Sequence, residues 1–408
     1  MINVVQLQYS KETAGKAALR LHDAFIEDRT VDSSILSLTW DIINGEKIKY
    51  ASKKSRLIER VDKVLQSYLT RKRIKKYGAF SYPILGTNVA KLDQVKNADV
   101  IYIHWVLQGF LNLSNFEQIF KLKKPVIIFM HDMWPITGGC HHSFTCEKYT
   151  VGCYNCQVFP GDKKSDLSTK EFNKKLRLFS QYDNIYFISP SRWLYNCAKK
   201  SLLTKEKPLF HIPNLLDGKI FKPFDKKVAR EILNINTGET IIAFGAVALD
   251  SPYKGWSYLK NALQTLYNGG FTNATVLIFG AGYSQEIENA IPFKVKFVGY
   301  LKDEYSVSLV YNAADVFIAP SLAEVFGFVI LEALRCGTPV VGFNVGGIPD
   351  LIQHKFNGYL AKYKDSNDLA NGIRFCVENN LKGSILPEFE TKSVLEKHLS
   401  LIEQIKIK

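Results

Sequence analysis

Short apolar runs recur along this chain, each closed by a small or polar turn and followed by an amphipathic stretch. In the first half they are Ile2 to Gln8, Ser34 to Leu38, Ala98 to His104, Pro125 to His131 and Ile185 to Ser189. Thr240 to Gly245, Val276 to Gly282, Val295 to Tyr300 and Asp315 to Ala319 continue the series. Runs that stay apolar rather than alternating suit strands covered on both faces, so the pattern predicts an α/β chain of parallel sheets flanked by helices. At 408 residues the chain exceeds one ordinary domain. The Pro/Gly/Asp-rich stretch after Ile212 reads as a linker, giving expected domains of residues 1–214 and 215–391, with a terminal helix over 392–408.

The densest information lies between Ala319 and Val341. There an apolar strand is stopped by Pro320, a tight loop runs to Gly327, and a helix, a Gly337-Thr338-Pro339 turn and a second strand follow. A helix starting near Gly327 points its free N–H groups and the positive end of its dipole at the loop, which makes an anion site. Glu324 lies in that loop and Glu332 is eight residues on, in about the second helical turn. Carboxylates accept hydrogen bonds from vicinal hydroxyls, so the pair suits a ligand with sugars on either side of a diphosphate. A solvated loop glutamate and a helix-surface glutamate are the plainer alternative.

With its E-x7-E spacing and Gly346-Gly347 pair, this segment resembles the donor-site signature of family-four retaining glycosyltransferases. The resemblance implies the GT-B architecture: two Rossmann-like domains with parallel sheets facing across a cleft, the N-terminal one for the acceptor and the C-terminal one for a nucleotide sugar. The terminal helix would cross back onto the N-terminal domain. It implies that Glu324 orients sugar hydroxyls, Glu332 meets the ribose, and Val325, Phe326 and Gly327 form the phosphate turn. Lys254 would neutralise the diphosphate, although the Arg that usually accompanies it is missing between Gly245 and Lys254. The backbone at Gly299 and Tyr300 would contact the base, Gly15 would open the helix after the first strand, and His131 would stand near the transferred sugar. By itself Gly15 reads as a structural turn glycine, and His131 as a strand-end residue where doubly wound sheets place ligands.

A formal charge of +14 favours acidic partners: nucleotide-sugar phosphates, an anionic membrane face or nucleic acid. Between Lys53 and Lys76, basic residues alternate with Leu57, Val61, Val64, Leu65, Tyr68 and Leu69 at helical spacing. That pattern is either a solvated helix face or a membrane-surface helix. No run of 18 apolar residues occurs, and the first residues read as a strand rather than a signal peptide, so the expected location is the cytoplasm, with peripheral contact at the inner membrane face. Within a loop spanning 138–157, Cys140, Cys146, Cys153 and Cys156 have the spacing C-x5-C-x6-C-x2-C. In a reducing compartment this suits a structural zinc, with His141 or His142 as substitute ligands, or else four free thiols. Similar loops after His-Asp-Met-Trp occur in a bacterial subset of the family.

The function expected is transfer of a sugar, of hexosyl type, from a nucleoside diphosphate to a saccharide or lipid-linked acceptor in cell-surface polysaccharide or lipopolysaccharide synthesis. No Asp-x-Asp pair is present, so no catalytic metal is expected. A non-hydrolysing sugar-nucleotide epimerase shares the architecture and would need no acceptor. A basic zinc-containing nucleic-acid binder would leave the E-x7-E segment unexplained.

Overall fold

The computed structural model describes residues 1–10, 15–38, 47–50, 54–159, 166–235, 238–245, 251–280 and 282–406. Lys11 to Ala14, which precede Gly15, and Lys53, Ala246 to Asp250 and Ala281, which belong to segments named above, lie outside the described residues. The chain divides into two units, one of Met1–Leu215 with Lys392–Lys408, the other of Leu216–Thr391.

The first unit holds a seven-stranded sheet of β1 (Ile2–Gln8), β2 (Val31–Ser37), β3 (Ile48–Tyr50), β4 (Val100–Ile103), β5 (Val126–Phe129), β6 (Ile185–Ser189) and β7 (Leu209–His211). Its order is β3-β2-β1-β4-β5-β6-β7, and every pairing is parallel. Between β1 and β4 the winding reverses, and a crevice opens beyond the strand ends at such a switch point. The helix Thr391–Lys406 packs here through Val394, Leu401, Ile402 and Ile405, on the same core as Val4, Phe25, Tyr102 and Phe129. Fully buried His398 comes from the same helix, its Nδ1 within 3.2 Å of the Tyr102 hydroxyl.

The helix Ser55–Leu69 departs from the expected length of the basic segment. Thr70 closes it by donating from both its amide and its hydroxyl to the Gln66 carbonyl, so Arg71 to Ile74 are not helical. Its inward residues are polar: Ser55, Asp62 and Gln66. Asp62 Oδ1 accepts from the Ile84 and Leu85 amides at 3.0 and 2.8 Å, and Gln66 Oε1 accepts from Tyr82 N–H at 3.0 Å. Hydrogen bonds thus seat this helix, and its apolar stripe of Leu57, Val61, Val64, Leu65, Tyr68 and Leu69 faces out.

The second unit holds β8 (Thr240–Gly245), β9 (Ala274–Phe279), β10 (Lys294–Gly299), β11 (Val316–Ala319), β12 (Val340–Phe343) and β13 (Gly358–Ala361). Their order is β10-β9-β8-β11-β12-β13, again parallel throughout, with the switch between β8 and β11. Asp315 fixes the start of β11 by accepting from Ile241 N–H, Arg230 at 2.6 Å and Lys226 at 2.8 Å. Val316, Phe317 and Ile318 are then buried on alternate faces, as the unbroken apolar run requires.

Candidate active site

In the second unit, the chain turns from strand to helix beyond the ends of β8, β11 and β12, next to the switch point. The helices that follow are Trp256–Asn268, Phe328–Arg335 and Ile348–Leu351, and their N-caps are Gly255, Gly327 and Gly347. None of the three has a side-chain cap. Elsewhere among the described residues Asn112, Asp166, Ser191, Asp225, Ser284, Asp303 and Asp365 cap helices with their side chains, whereas Ser55–Leu69 and Asp93–Asn97 have no such cap. A side-chain oxygen would occupy the anion position at a helix start, and glycine leaves it open.

These turns are locked together by their backbones. Leu322 N–H donates to the Tyr253 carbonyl at 2.7 Å, and a Cβ on Gly255 would lie 2.0 Å from the Pro320 carbonyl oxygen. Gly347 N–H donates to the Glu324 carbonyl at 3.0 Å, while a Cβ on Gly346 would meet that oxygen at 2.0 Å. Gly255, Gly327 and Gly346 all have positive φ, which only glycine adopts without strain. Lys254 and Glu324 ride on these interlocked turns. Neither is paired with an opposite charge among the described residues, although both are partly shielded from solvent.

Other positions named from the sequence play different parts. The Val325 and Phe326 side chains lie in the core, Phe326 against Phe328 and Phe389, so this turn can present only backbone to a ligand. Glu332 is in the second turn as expected, but buried, with Oε2 accepting from the Tyr311 hydroxyl at 3.1 Å. Gly299 ends β10 with φ near +80°, its carbonyl accepting from Gly280 N–H at 2.8 Å, and Tyr300 beside it is exposed. This edge strand is separated from β11 by β9 and β8.

The first unit gathers imidazoles at its own switch point. His131 follows β5 and His104 follows β4; their rings stack at 5.2 Å, with His104 Nδ1 2.9 Å from His131 Nε2. Gln6 on β1 lies 2.9 Å from His104 Nε2, and the amide orientation that satisfies both its ends makes its nitrogen the donor. That orientation fixes the tautomers. His104 accepts at Nε2, donates from Nδ1 to His131 Nε2, and leaves the His131 proton on Nδ1.

Burial pulls His131 down to about 4 and holds His104 well below its ordinary value, so both are neutral near pH 7. Asp132 extends this cluster: its carboxylate takes His141 Nδ1 at 2.6 Å, Trp134 N–H at 2.7 Å and Trp105 Nε1–H at 3.1 Å. Burial works to raise the Asp132 carboxyl, yet these partners hold it below the usual carboxylate value. His104 and Asp132 were not singled out from the sequence, and His141 was named there only as a substitute metal ligand. His104 carried the same signal as His131, a histidine closing an apolar strand. Gly15 begins the helix Gly15–Asp28 after β1.

The four loop cysteines are free thiols in this unit. A hydrogen bond between Cys140 and Cys156, together with burial, pushes Cys140 up; the same bond draws Cys156 down to about 7 against the opposing effect of burial. Burial raises Cys153 to about 11, against the opposing pull of the Gly138 N–H, which donates to its sulfur at 3.2 Å. Among the described residues no group of three or more His, Cys, Asp or Glu side chains is arranged to hold a metal ion.

With this geometry in view, the comparisons with known proteins are specific. Residues 238–379 match the family model described as glycosyl transferases group 1, a span inside the second unit. An uncharacterized glycosyltransferase of Methanocaldococcus jannaschii is 28% identical over 343 residues, covering 78% of this chain and 85% of that protein. Over residues 238–379 the chain is similar to the group 1 glycosyltransferases. A D-inositol 3-phosphate glycosyltransferase of a Mycobacterium species is 33% identical over 164 residues, 39% of this chain and 37% of its own length. Among solved structures, Anabaena HepE in complex with UDP-glucose aligns with a TM-score of 0.63 at 17% identity, covering 99% of this chain and 100% of HepE. At that identity the likeness establishes the fold, which is GT-B.

Proposed function

We propose that this glycosyltransferase is a retaining, hexosyl-type enzyme. It takes a sugar from a nucleoside-diphosphate donor held in the second unit and passes it to a saccharide or lipid-linked acceptor hydroxyl. The observation that carries the reading is the set of glycine-capped turns with Lys254 and Glu324 unpaired upon them. The acceptor oxygen bonds to the anomeric carbon as the bond to the diphosphate oxygen breaks, and the hydroxyl proton passes to the departing diphosphate. Charge growing on that diphosphate meets Lys254 and the Gly327 helix end, both in place before reaction, and such preorganised electrostatics lower barriers most. Glu324 orients donor hydroxyls, Glu332 the ribose, and neutral His131 offers its Nδ1–H near the transferred sugar.

No catalytic metal has a part in this scheme. A thermal-shift screen of nucleotide sugars should find a stabilising donor. NMR of the product should then show the donor's anomeric configuration kept; an inverted product would refute retention, and turnover of the donor without acceptor would point to an epimerase.

The outward apolar stripe of Ser55–Leu69 supports a membrane-bound acceptor, as in envelope polysaccharide or lipopolysaccharide assembly. Arg56, Arg60, Arg71, Lys72, Lys75 and Lys76 accompany the stripe and are exposed, the composition of an interfacial helix on anionic lipid. Each basic residue near such a surface contributes on the order of 1 kcal/mol. No helix among the described residues is long and apolar enough to cross a membrane. Co-sedimentation should therefore rise with anionic lipid, fall with salt, and drop when Leu57, Val64 and Tyr68 become Ser. Equal sedimentation with neutral and anionic vesicles, or none, would leave the stripe as a solvated face and favour a soluble acceptor.

A further inference from the structure

Gln6 breaks the pattern of a strand covered on both faces. It stands in β1 between Val5 and Leu7, fully buried, where a primary amide must find partners for both its ends or cost stability. Those partners come from three other elements. The Gln6 nitrogen donates to His104 Nε2 at 2.9 Å and to the Ala18 carbonyl at 3.2 Å, while its oxygen accepts from Ser33 Oγ at 3.1 Å and from the His22 backbone N–H at 3.3 Å. Ser33 lies on β2, Ala18 and His22 on the helix Gly15–Asp28, and His104 just past β4.

The bonds form a chain with a direction. Ser33 commits its own proton to Gln6, so at 2.9 Å it accepts from His22 Nδ1. From there each group donates to the next: His22 to Ser33, Ser33 to Gln6, Gln6 to His104, and His104 to His131. Of these five residues only His131 is not buried, and its ring is held by stacking on Phe129 at 4.8 Å as well as on His104. The direction decides what His131 can do. With Nε2 accepting, its Nδ1 carries the proton and donates; in a reversed chain Nδ1 would be a bare lone pair that only accepts.

Backbone groups hold that direction. If the Gln6 amide turned over, its oxygen would meet the Ala18 carbonyl and its nitrogen the His22 N–H, two like-to-like contacts in place of two hydrogen bonds. The helix cannot retreat to relieve them, because its Leu21 and Phe25 share a core with Val4 and Val31.

We infer that Gln6 is a positioning residue for sugar transfer: anchored by the Ala18 carbonyl and the His22 N–H, it sets the tautomers of His104 and His131 so that His131 presents a donor, Nδ1–H, to the transferred sugar. The role in transfer rests on the reading of His131 given above, whereas the direction of the chain does not.

The experiment reads the tautomers from long-range 1H–15N correlation spectra of the full chain, labelled on histidine and held near pH 7, where His104 and His131 are neutral. Both should show a protonated Nδ1 and a bare Nε2. The reverse pattern, or an even mixture, would overturn the inference, and the wild-type spectrum needs no variant to fold. Gln6→Met keeps the length of the side chain and removes the donor, so the Nε2–H form of His131 should appear beside the other. Turnover should then fall about threefold, in step with the remaining Nδ1–H fraction, with donor KM unchanged. A His131 tautomer unaltered in Gln6→Met would show that Gln6 does not set it. Mixed tautomers with unchanged kcat would overturn the role in transfer, and His131→Ala then separates the two readings. If His131→Ala also keeps kcat, the reading of His131 fails; if it loses kcat, His131 works by something other than its Nδ1–H and only the present inference falls.

Discussion

The two units solve the same topological problem with different materials. Each is a parallel sheet with a switch point, and each gathers its candidate site residues beyond the strand ends there. The second unit builds its site from backbone: glycine caps, amides and carbonyls in contact, with two unpaired charges laid on top. In the first unit the material is buried side chains, a relay of Gln6, His104 and His131 with Asp132 and His141 alongside. Backbone sites are insensitive to protonation and intolerant of added atoms. Imidazole sites behave the opposite way.

Acid should separate the two most strongly. Burial pulls His22 and His131 to about 4 and His398 to about 3, and holds His104 well below its ordinary value, all in the first unit. Unfolded histidines titrate near 6.5, so between that value and about 4 the unfolded state binds more protons and stability falls as pH falls. Each histidine costs roughly 1–2 kcal/mol by pH 5. Glu171, raised to about 6 by burial, opposes them, because its stability contribution is lost as pH rises. In the second unit Asp315, held below its ordinary value by Lys226 and the Ile241 amide against the cost of burial, weakens only near pH 4 and below. Hydrogen exchange at pH 5 should show the first unit opening while the second keeps its pH 7 protection; equal protection loss in both would erase the contrast.

Steric substitution should act the other way round. Gly255→Ala puts a methyl 2.0 Å from the Pro320 carbonyl in a left-handed backbone, so the turn must shift and Lys254 with it. Turnover should fall about a hundredfold, on the order of 3 kcal/mol, with the first unit's exchange untouched. Activity within twofold of wild type would show that the interlock does not place the lysine. Glu324→Gln and Lys254→Ala keep the turns and alter only the charges, so each should cost about tenfold, roughly 1.4 kcal/mol. Wild-type rates in both, with the fold intact, would remove them from the site.

Legibility from sequence follows the same division. The parallel sheets were legible because strands covered on both faces must be apolar throughout, and β1 and β6 have the bounds the sequence suggests. The Gly327 turn was legible because glycine, the glutamate spacing and Pro339 are local signals. The relay was not, because Gln6, His104 and His131 are separated by about a hundred residues and by 27, and only the β1-β4-β5 order brings them together. The stripe of Ser55–Leu69 shows the converse. Its periodicity announced an amphipathic helix, but apolar spacing cannot say which face turns inward, and the buried bonds of Asp62 decided it.

The smallest effect belongs to Glu332, where the two strategies meet. It is a side-chain contributor in a backbone site, buried in the second turn with Oε2 held by the Tyr311 hydroxyl. Tyr311 lies in the core against Phe221, Phe279 and Phe317, so Tyr311→Phe keeps its packing and deletes one hydrogen bond. A neutral donor to a buried carboxylate contributes about 1 kcal/mol. With Glu332 less firmly positioned, a ribose would be held less firmly, and that interaction is common to bound substrate and transition state. Donor KM should therefore rise about fivefold with kcat unchanged, the pattern of lost uniform binding. If kcat falls instead, Glu332 acts on the bond being broken, and if neither changes, its carboxylate faces the core rather than the donor.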